Sequence, residues 1–204
     1  TGGGVKRMEI KRVSIIGAGQ MGNGIAHVCA LAGYDVLLHD ASVAALEAAT
    51  GIIAGNLDRQ VSRGKITQAQ RDEAVGRIEI APELASLGPT DLVIEAASER
   101  EPLKHKIFAD LGPYLADHTI LTSNTSSISI TRLASGTDRP ERFMGLHFMN
   151  PVPVMQLVEL IRGIATDRET FEMLEGVVKR LGKISSSAED FPAFIVNRIL
   201  MPMI

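Results

Sequence analysis

One histidine and one glutamate lie at equal distances from a proline in GLHFMNPVPVMQLVEL, residues 145–160. His147 and Glu159 are each six residues from Pro153, so a chain reversal at the prolines would place them opposite one another on antiparallel strands. A carboxylate bound to an imidazole fixes its tautomer and stabilises the imidazolium, so this histidine can serve as a general base near neutral pH. The alternative is a histidine that only satisfies a buried glutamate.

A glycine-rich segment near the start of the chain, VSIIGAGQMGNGIA, is typical of a dinucleotide site. Gly17, Gly19 and Gly22 follow a predicted strand and open a predicted helix, where glycine permits a tight turn and close approach of the backbone to pyrophosphate. Gln20 and Met21 lie inside this loop. We therefore expect all five residues to contact the cofactor.

Asp40 ends the second predicted strand, 18 residues beyond Gly22. A carboxylate there can accept hydrogen bonds from the adenosine ribose hydroxyls and would repel a 2′-phosphate. The next basic residue, Arg59, is too far along the chain to offset that repulsion. NAD is therefore expected rather than NADP, unless Asp40 only caps the following helix.

Polar clusters follow three later predicted strands, at the sheet edge where parallel sheets bind ligands. They are Glu99 with Lys104, the run Ser123–Ser127 that contains Asn124 and Ser126, and His147 with Asn150. Taken alone, Glu99 and Lys104 favour a solvated salt bridge, and the serine-rich run favours a helix N-cap or a ligand contact.

Further basic residues, Arg59, Arg63 and Lys65, lie on the segment LDRQVSRGK. Such a group usually forms a solvated helix face. It could instead meet the phosphates of a large acidic substrate.

The elements that would hold these residues alternate between short β-branched runs and stretches of helical period. This pattern predicts a doubly wound, mostly parallel α/β sheet with helices on both faces, antiparallel last strands, and a helical hairpin inserted after strand two. The predicted strands are 12–17, 34–39, 77–80, 91–96, 119–123, 142–148 and 155–161, and the predicted helices are 20–32, 40–63, one N-capped by Thr67, 103–115 and 167–181.

Composition excludes several classes of partner and site. The net charge is −3 with mixed signs, which predicts neither a nucleic-acid nor a membrane-surface partner. Cys29 is the single cysteine, so we expect no internal disulfide, no metal site and a reducing, cytoplasmic location. No apolar run reaches the roughly 20 residues that span a bilayer.

Five segments, in chain order, resemble the L-3-hydroxyacyl-CoA dehydrogenases, nearest to the bacterial 3-hydroxybutyryl-CoA type. They are GAGQMGNGIA, DLVIEAASE, SNTSSISIT, GLHFMNPVPVMQLVEL and FPAFIVNRIL. The resemblance runs from residue 11 to the end. It implies a Rossmann-like fold and reversible oxidation of a (3S)-3-hydroxyacyl-CoA by NAD, with His147 as base and Glu159 as its partner.

The resemblance also implies roles for polar residues around the ligands. On the cofactor side it places Glu99 and Lys104 near the nicotinamide, with Asn124 as a further contact. On the substrate side it places Ser126 and Asn197 at the reacting oxygen, Asn150 beside histidine and substrate, and Asn56 and Arg63 at the CoA portion.

The predicted domains are a linker at 1–10, an NAD-binding domain at 11–188 and, at 189–204, the first helix of a helical domain that closes the substrate site and forms the dimer in this family. Ala193 replaces a glycine usual in the family. We expect the 204 residues to bind NAD but to turn over acyl-CoA poorly, and the apolar segment 191–204 to seek a partner, giving a homo-oligomer.

Two other functions are compatible with the same fold. One is a non-catalytic NAD-binding or structural protein. The other is a β-hydroxyacid dehydrogenase that acts on free acids, but that group uses a lysine base, so His147 and Glu159 speak against it.

Overall fold

The computed structural model describes residues 9–190. Within this range the chain forms one eight-stranded sheet in the order β3-β2-β1-β4-β5-β6-β7-β8. The strands are β1 (Arg12–Ile16), β2 (Asp35–His39), β3 (Ile78–Ile80), β4 (Leu92–Glu95), β5 (Ile120–Ser123), β6 (Phe143–Phe148), β7 (Leu157–Arg162) and β8 (Ile184–Glu189). Strands β1 to β6 are parallel to one another, β7 is antiparallel to β6, and β8 is parallel to β7.

Helices cover both faces of this sheet. They are α1 (Gln20–Leu31), α2 (Val43–Ser62), α3 (Gln68–Gly76), α4 (Glu101–Leu111), α5 (Ile130–Ser135) and α6 (Arg168–Arg180). Alternate strand residues supply two hydrophobic clusters, so that Val13 and Ile15 belong to one and Ile16 to the other. The predicted doubly wound, mostly parallel fold is confirmed.

The helical hairpin after β2 forms as predicted. Thr67 accepts a hydrogen bond from the backbone N–H of Gln70, and the Gln70 side chain accepts one from the N–H of Thr67. Gly64 takes a positive φ of 65° between the two helices. This reciprocal capping box ends the loop at a defined residue.

The predictions miss two elements, and the bounds of a third differ. Strand β8 was not predicted because ISSSAE carries three serines and few β-branched residues; it forms because β7 offers it a parallel partner. The short helix α5 was also not predicted. Helix α4 begins at Glu101 rather than 103 and ends at Leu111, since Gly112–Tyr114 continues as a 3₁₀ turn.

Some predictions fall outside residues 9–190. These are most of the linker at 1–10, the apolar segment 191–204, Ala193 and the substrate residue Asn197.

Candidate active site

His147 and Glu159 face each other across the antiparallel pair β6 and β7. Nδ1 of His147 lies 2.7 Å from Oε2 of Glu159. Glu159 is completely buried and His147 is 8% exposed. The predicted pairing of these two residues is therefore confirmed, and the carboxylate orients one ring nitrogen toward itself.

The turn between these strands is braced from two sides. Val154 and Met155 donate backbone hydrogen bonds to the carbonyl of Pro151, each at 3.0 Å. The ammonium of Lys183, just before β8, donates to the carbonyls of Val152 and Met155 at 2.7 Å each. This bracing holds the reversal that sets the strand register.

The same turn packs on α1 at a glycine. A Cβ at Gly24 would lie 2.9 Å from Cβ of Val152, which is buried. Asn150, at the start of the turn, is exposed and lies in a groove with Gly19 and Asn56. The turn therefore lies directly beside the glycine loop.

The glycine loop needs its first and third glycines for space and backbone shape. Gly17 has a φ of +101°, and a Cβ there would lie 2.6 Å from the carbonyl oxygen of Ala96. A Cβ at Gly22 would lie 1.6 Å from the carbonyl oxygen of Gly17. At Gly19, by contrast, a Cβ would meet nothing within 4 Å, so this residue opens toward the space in front of the loop.

That space is a groove of ≈ 580 Å³. Its lining includes Gly17, Gly19, Gln20, Met21 and Asp40, all predicted cofactor contacts. The groove meets the N-terminus of α1, where Gly19 is the N-cap. Helix N-termini attract anions, so the arrangement suits a pyrophosphate.

The carboxylate of Asp40 hydrogen-bonds the glycine loop. Its Oδ2 accepts a hydrogen bond from the N–H of Ala18 at 2.8 Å, and its Oδ1 accepts one from the N–H of Ser42 at 2.9 Å. The N-cap of α2 is Ser42, whose side chain accepts from the N–H of Ala45. Asp40 therefore does not cap this helix, and its carboxylate lies at the groove.

A buried ion pair lies at the end of β4. The ammonium of Lys104, which is completely buried, donates to both carboxylate oxygens of Glu95 at 2.8 Å. Its distance to Oε2 of Glu99 is 3.6 Å. The expected ion pair between Glu99 and Lys104 is therefore present, but the expectation that it is solvated is wrong for Lys104, whose side chain is buried and lies closer to Glu95.

No sequence motif marks Glu95 as a site residue. The available signal was one acid at the end of the apolar run LVIE, in a strand whose four residues are all buried. Burial raises the pKa of Glu95, and the nearby Lys104 opposes that rise.

Glu99 accepts hydrogen bonds from the polar run after β5. Its Oε1 accepts hydrogen bonds from Thr125 Oγ1 at 2.5 Å, Ser126 N at 2.8 Å and Ser126 Oγ at 3.2 Å. Burial raises the pKa of Glu99, but these bonds and the charge of Lys104 outweigh it and hold the pKa below its usual range.

The helix that follows this run begins later than its serines suggested. The N-cap of α5 is Ser129, and the run Ser123–Ser127 does not cap it. Asn124 Oδ1 instead accepts from the N–H of Phe148, 2.9 Å away, which ties the run to the end of β6 and so to His147.

A second groove, of ≈ 670 Å³, lies between α2 and the Pro151 turn. Its lining includes Asn56, Arg59, Arg63, Lys65 and His27. Arg59 donates to the side-chain oxygen of Asn56, while Arg63 and Lys65 are exposed. The basic residues therefore line a concave surface that includes the turn after β6.

Among residues 9–190, no cluster of three or more His, Cys, Asp or Glu residues could hold a metal ion. Over the same range, no helix is both long and apolar enough to cross a bilayer.

The family profile for the NAD-binding domain of 3-hydroxyacyl-CoA dehydrogenase matches residues 12–190. The chain belongs to this family. It is 60% identical over 195 residues to a 3-hydroxybutyryl-CoA dehydrogenase of Bradyrhizobium diazoefficiens, covering 96% of this chain and 67% of the relative. It is 44% identical to the 3-hydroxyadipyl-CoA dehydrogenase of Escherichia coli, covering 96% of this chain and 41% of that protein.

Solved structures agree with this family membership. The crystal structure of (S)-3-hydroxybutyryl-CoA dehydrogenase PaaH1 from Ralstonia eutropha matches with a TM-score of 0.93 and 47% identity, covering 96% of this chain and 69% of that one. This dehydrogenase domain is therefore part of an NAD-dependent oxidoreductase.

The residues of this dehydrogenase domain fit NAD. Open space at Gly19, the N-terminus of α1 and the Asp40 carboxylate line one groove. Each supplies what a dinucleotide requires, namely room for the pyrophosphate, donors for its charge and an acceptor for ribose hydroxyls.

Proposed function

We propose that this chain supplies the NAD site and the proton-transfer pair for oxidation of a short-chain (3S)-3-hydroxyacyl-CoA, such as 3-hydroxybutyryl-CoA, to the 3-oxoacyl-CoA. The observation that carries the proposal is the 2.7 Å contact between His147 Nδ1 and Glu159 Oε2. Strand β6, which bears His147, runs parallel to β1, which leads into the glycine loop. His147 and the loop therefore lie toward the same edge of the sheet.

The chemistry follows from which ring nitrogen is engaged. Because Nδ1 faces Glu159, the other ring nitrogen, Nε2, takes the proton from the substrate hydroxyl. Glu159 stabilises the imidazolium that forms. NAD, when bound, accepts the hydride that leaves carbon 3 of the substrate. In the reverse direction His147 returns the proton to the carbonyl oxygen.

Polar residues that follow β5 and β6 are assigned to the substrate. Ser126 carries a hydroxyl next to Glu99, and Asn150 is exposed beside the glycine loop. We assign Ser126 and Asn150, together with Asn197, to the reacting end of the acyl-CoA. Asn56 and Arg63, which line the second groove, are assigned to the CoA portion.

The proposal also covers the cellular compartment and the oligomeric state of the enzyme. A lone, buried Cys29 favours a reducing compartment such as the cytoplasm. We further propose a homo-oligomer assembled through the apolar segment 191–204. Light scattering at high protein concentration tests this, and a monodisperse monomer would contradict it.

Acetoacetyl-CoA-dependent oxidation of NADH tests the proposed reaction. It is measured on these 204 residues and on a version lengthened to the extent of the relatives, three of which this chain spans to 67–69% of their length. We expect turnover in the longer chain, poor turnover in the shorter one and NADH binding in both. NADH binding without turnover in either chain would support a non-catalytic protein instead.

A further inference from the structure

Glu95 lies where three neighbouring strands of the sheet end together. It is the last residue of β4, paired in register with Ile16 of β1 and Ser123 of β5. Ile16 leads into the glycine loop, and Ser123 leads into the run that contains Ser126. Glu95 is completely buried, so it lies beneath the groove and does not contact the ligand.

Every oxygen of the Glu95 carboxylate is engaged. Lys104 donates to both oxygens at 2.8 Å, Ser123 Oγ donates to Oε2 at 2.6 Å, and the N–H of Ala97 donates to Oε1 at 2.7 Å. A buried charge held by this many donors is costly to remove, because the buried ammonium would lose its nearest counter-charge.

The network continues to the surface through a second carboxylate. Lys104 lies 3.6 Å from Oε2 of Glu99. The other oxygen of Glu99 accepts from the N–H and the hydroxyl of Ser126, at 2.8 and 3.2 Å. The charges thus alternate from the buried Glu95 through Lys104 to the half-exposed Glu99.

This order decides which carboxylate Lys104 binds most closely. With Glu95 charged, the ammonium stays on Glu95, and Glu99 is left to hold Ser126. With Glu95 neutral, Glu99 would be the remaining counter-charge and would be drawn from Ser126 toward a closer ion pair with Lys104.

We propose that Glu95 is a positioning residue, which keeps the ammonium of Lys104 at the buried end of β4 so that Glu99 fixes Ser126 at the reacting end of the acyl-CoA. The inference rests on the proposed function. It adds a residue that never touches cofactor or substrate but sets the position of one that does.

The test substitutes Glu95→Gln, alone and together with Ser126→Ala, in the version lengthened to the extent of the relatives. We expect kcat/KM for acetoacetyl-CoA to fall by about tenfold in Glu95→Gln, mainly through kcat, as expected for coupled neighbours. The NADH dissociation constant should change by less than about threefold. In the Ser126→Ala background the same substitution should cost less than about threefold, since its target is already absent.

A matched control is Thr122→Val. Thr122 is buried on β5 next to Ser123, but its hydroxyl donates to the carbonyl of Val93, outside the charge network. It should lower the melting temperature without changing kcat/KM. If Glu95→Gln alone fails to fold, the double variant Glu95→Gln with Lys104→Met is made, which lacks both buried charges. We expect its kcat/KM to match that of Lys104→Met alone.

Three results distinguish a failure of the positioning role of Glu95 from a failure of the proposed function. Equal losses with and without Ser126 would overturn the positioning role and indicate general structural support. An active wild type with an unaffected Glu95→Gln would also overturn it. An inactive wild type would overturn the proposed function and this inference together.

Discussion

Nδ1 of His147 lies 2.7 Å from Oε2 of Glu159, although the two residues are twelve positions apart in the chain. The contact follows from the antiparallel register of β6 and β7, which places them directly opposite. Lys183 reinforces this register by binding the carbonyls of the turn. A histidine–glutamate pair built on paired strands has little freedom to move, which suits the proposed general base.

Substitutions in this pair should separate catalysis from cofactor binding. His147→Gln should abolish turnover, and Glu159→Gln should lower kcat by about 100-fold or more, because the imidazolium loses its counter-charge. NADH affinity, measured by fluorescence titration, should stay nearly unchanged in both. A Glu159→Gln protein with wild-type kcat would contradict the assigned role.

Two glycine substitutions in the cofactor loop should affect different properties, one the stability of the fold and the other the affinity for NAD. Gly22→Ala should destabilise the fold, because its Cβ would overlap the carbonyl oxygen of Gly17 at 1.6 Å. Gly19→Ala meets no protein atom within 4 Å, so it should keep the melting temperature but weaken NAD binding by occupying space for the pyrophosphate. Thermal unfolding and calorimetric titration distinguish these outcomes. Unchanged NAD affinity in Gly19→Ala would contradict the assigned pyrophosphate position.

Asp40→Asn should weaken NAD binding and reduce discrimination against NADP. The loss should be about tenfold for NAD, since a hydrogen bond to a charged group is replaced by one to a neutral amide. Asp35→Asn is the matched control, as Asp35 lies on the same strand and its carboxylate binds Arg77 instead. Calorimetry with both dinucleotides measures the ratio, and an unchanged ratio would argue against ribose recognition by Asp40.

His27 should make the fold sensitive to mild acid. Burial lowers its pKa to about 4, below the 6.5 typical of an unfolded chain. The unfolded state therefore takes up the proton first, and stability falls as the pH drops from about 6.5 to about 4. Urea unfolding should show a loss of about 1 kcal/mol per pH unit in this window, reduced in His27→Gln. Parallel profiles for the two proteins would disprove this effect.

Local rules were sufficient where the deciding atoms lie close in sequence. The capping box of α3 depends on Thr67 and Gln70, three residues apart. The glycine loop depends on neighbouring glycines and the strand and helix beside them. The pairing of His147 with Glu159 depends on one assumption, that the chain reverses at Pro153.

Local rules failed where the deciding partner lies on another element. Lys104 looked like a surface residue because its helix bears charges, yet it points at Glu95 on a strand that the sequence reads as apolar. Ser129 caps α5, and Asp190, 61 residues away, accepts from its hydroxyl and from the N–H groups of Ile130 and Thr131. Neither partnership can be predicted from residues that are close in the sequence.

The sequence by itself determined the dinucleotide loop, the alternation of strands and helices, and the pairing of His147 with Glu159, because spacing along a strand or turn fixes those geometries. Only the tertiary structure decided that β8 completes the sheet edge, that Lys104 is buried on Glu95, and that Glu99 holds Ser126. Those outcomes depend on how α4 packs on the sheet and which side chains lose water there, and the free energy of burying a charge is set by partners distant in sequence.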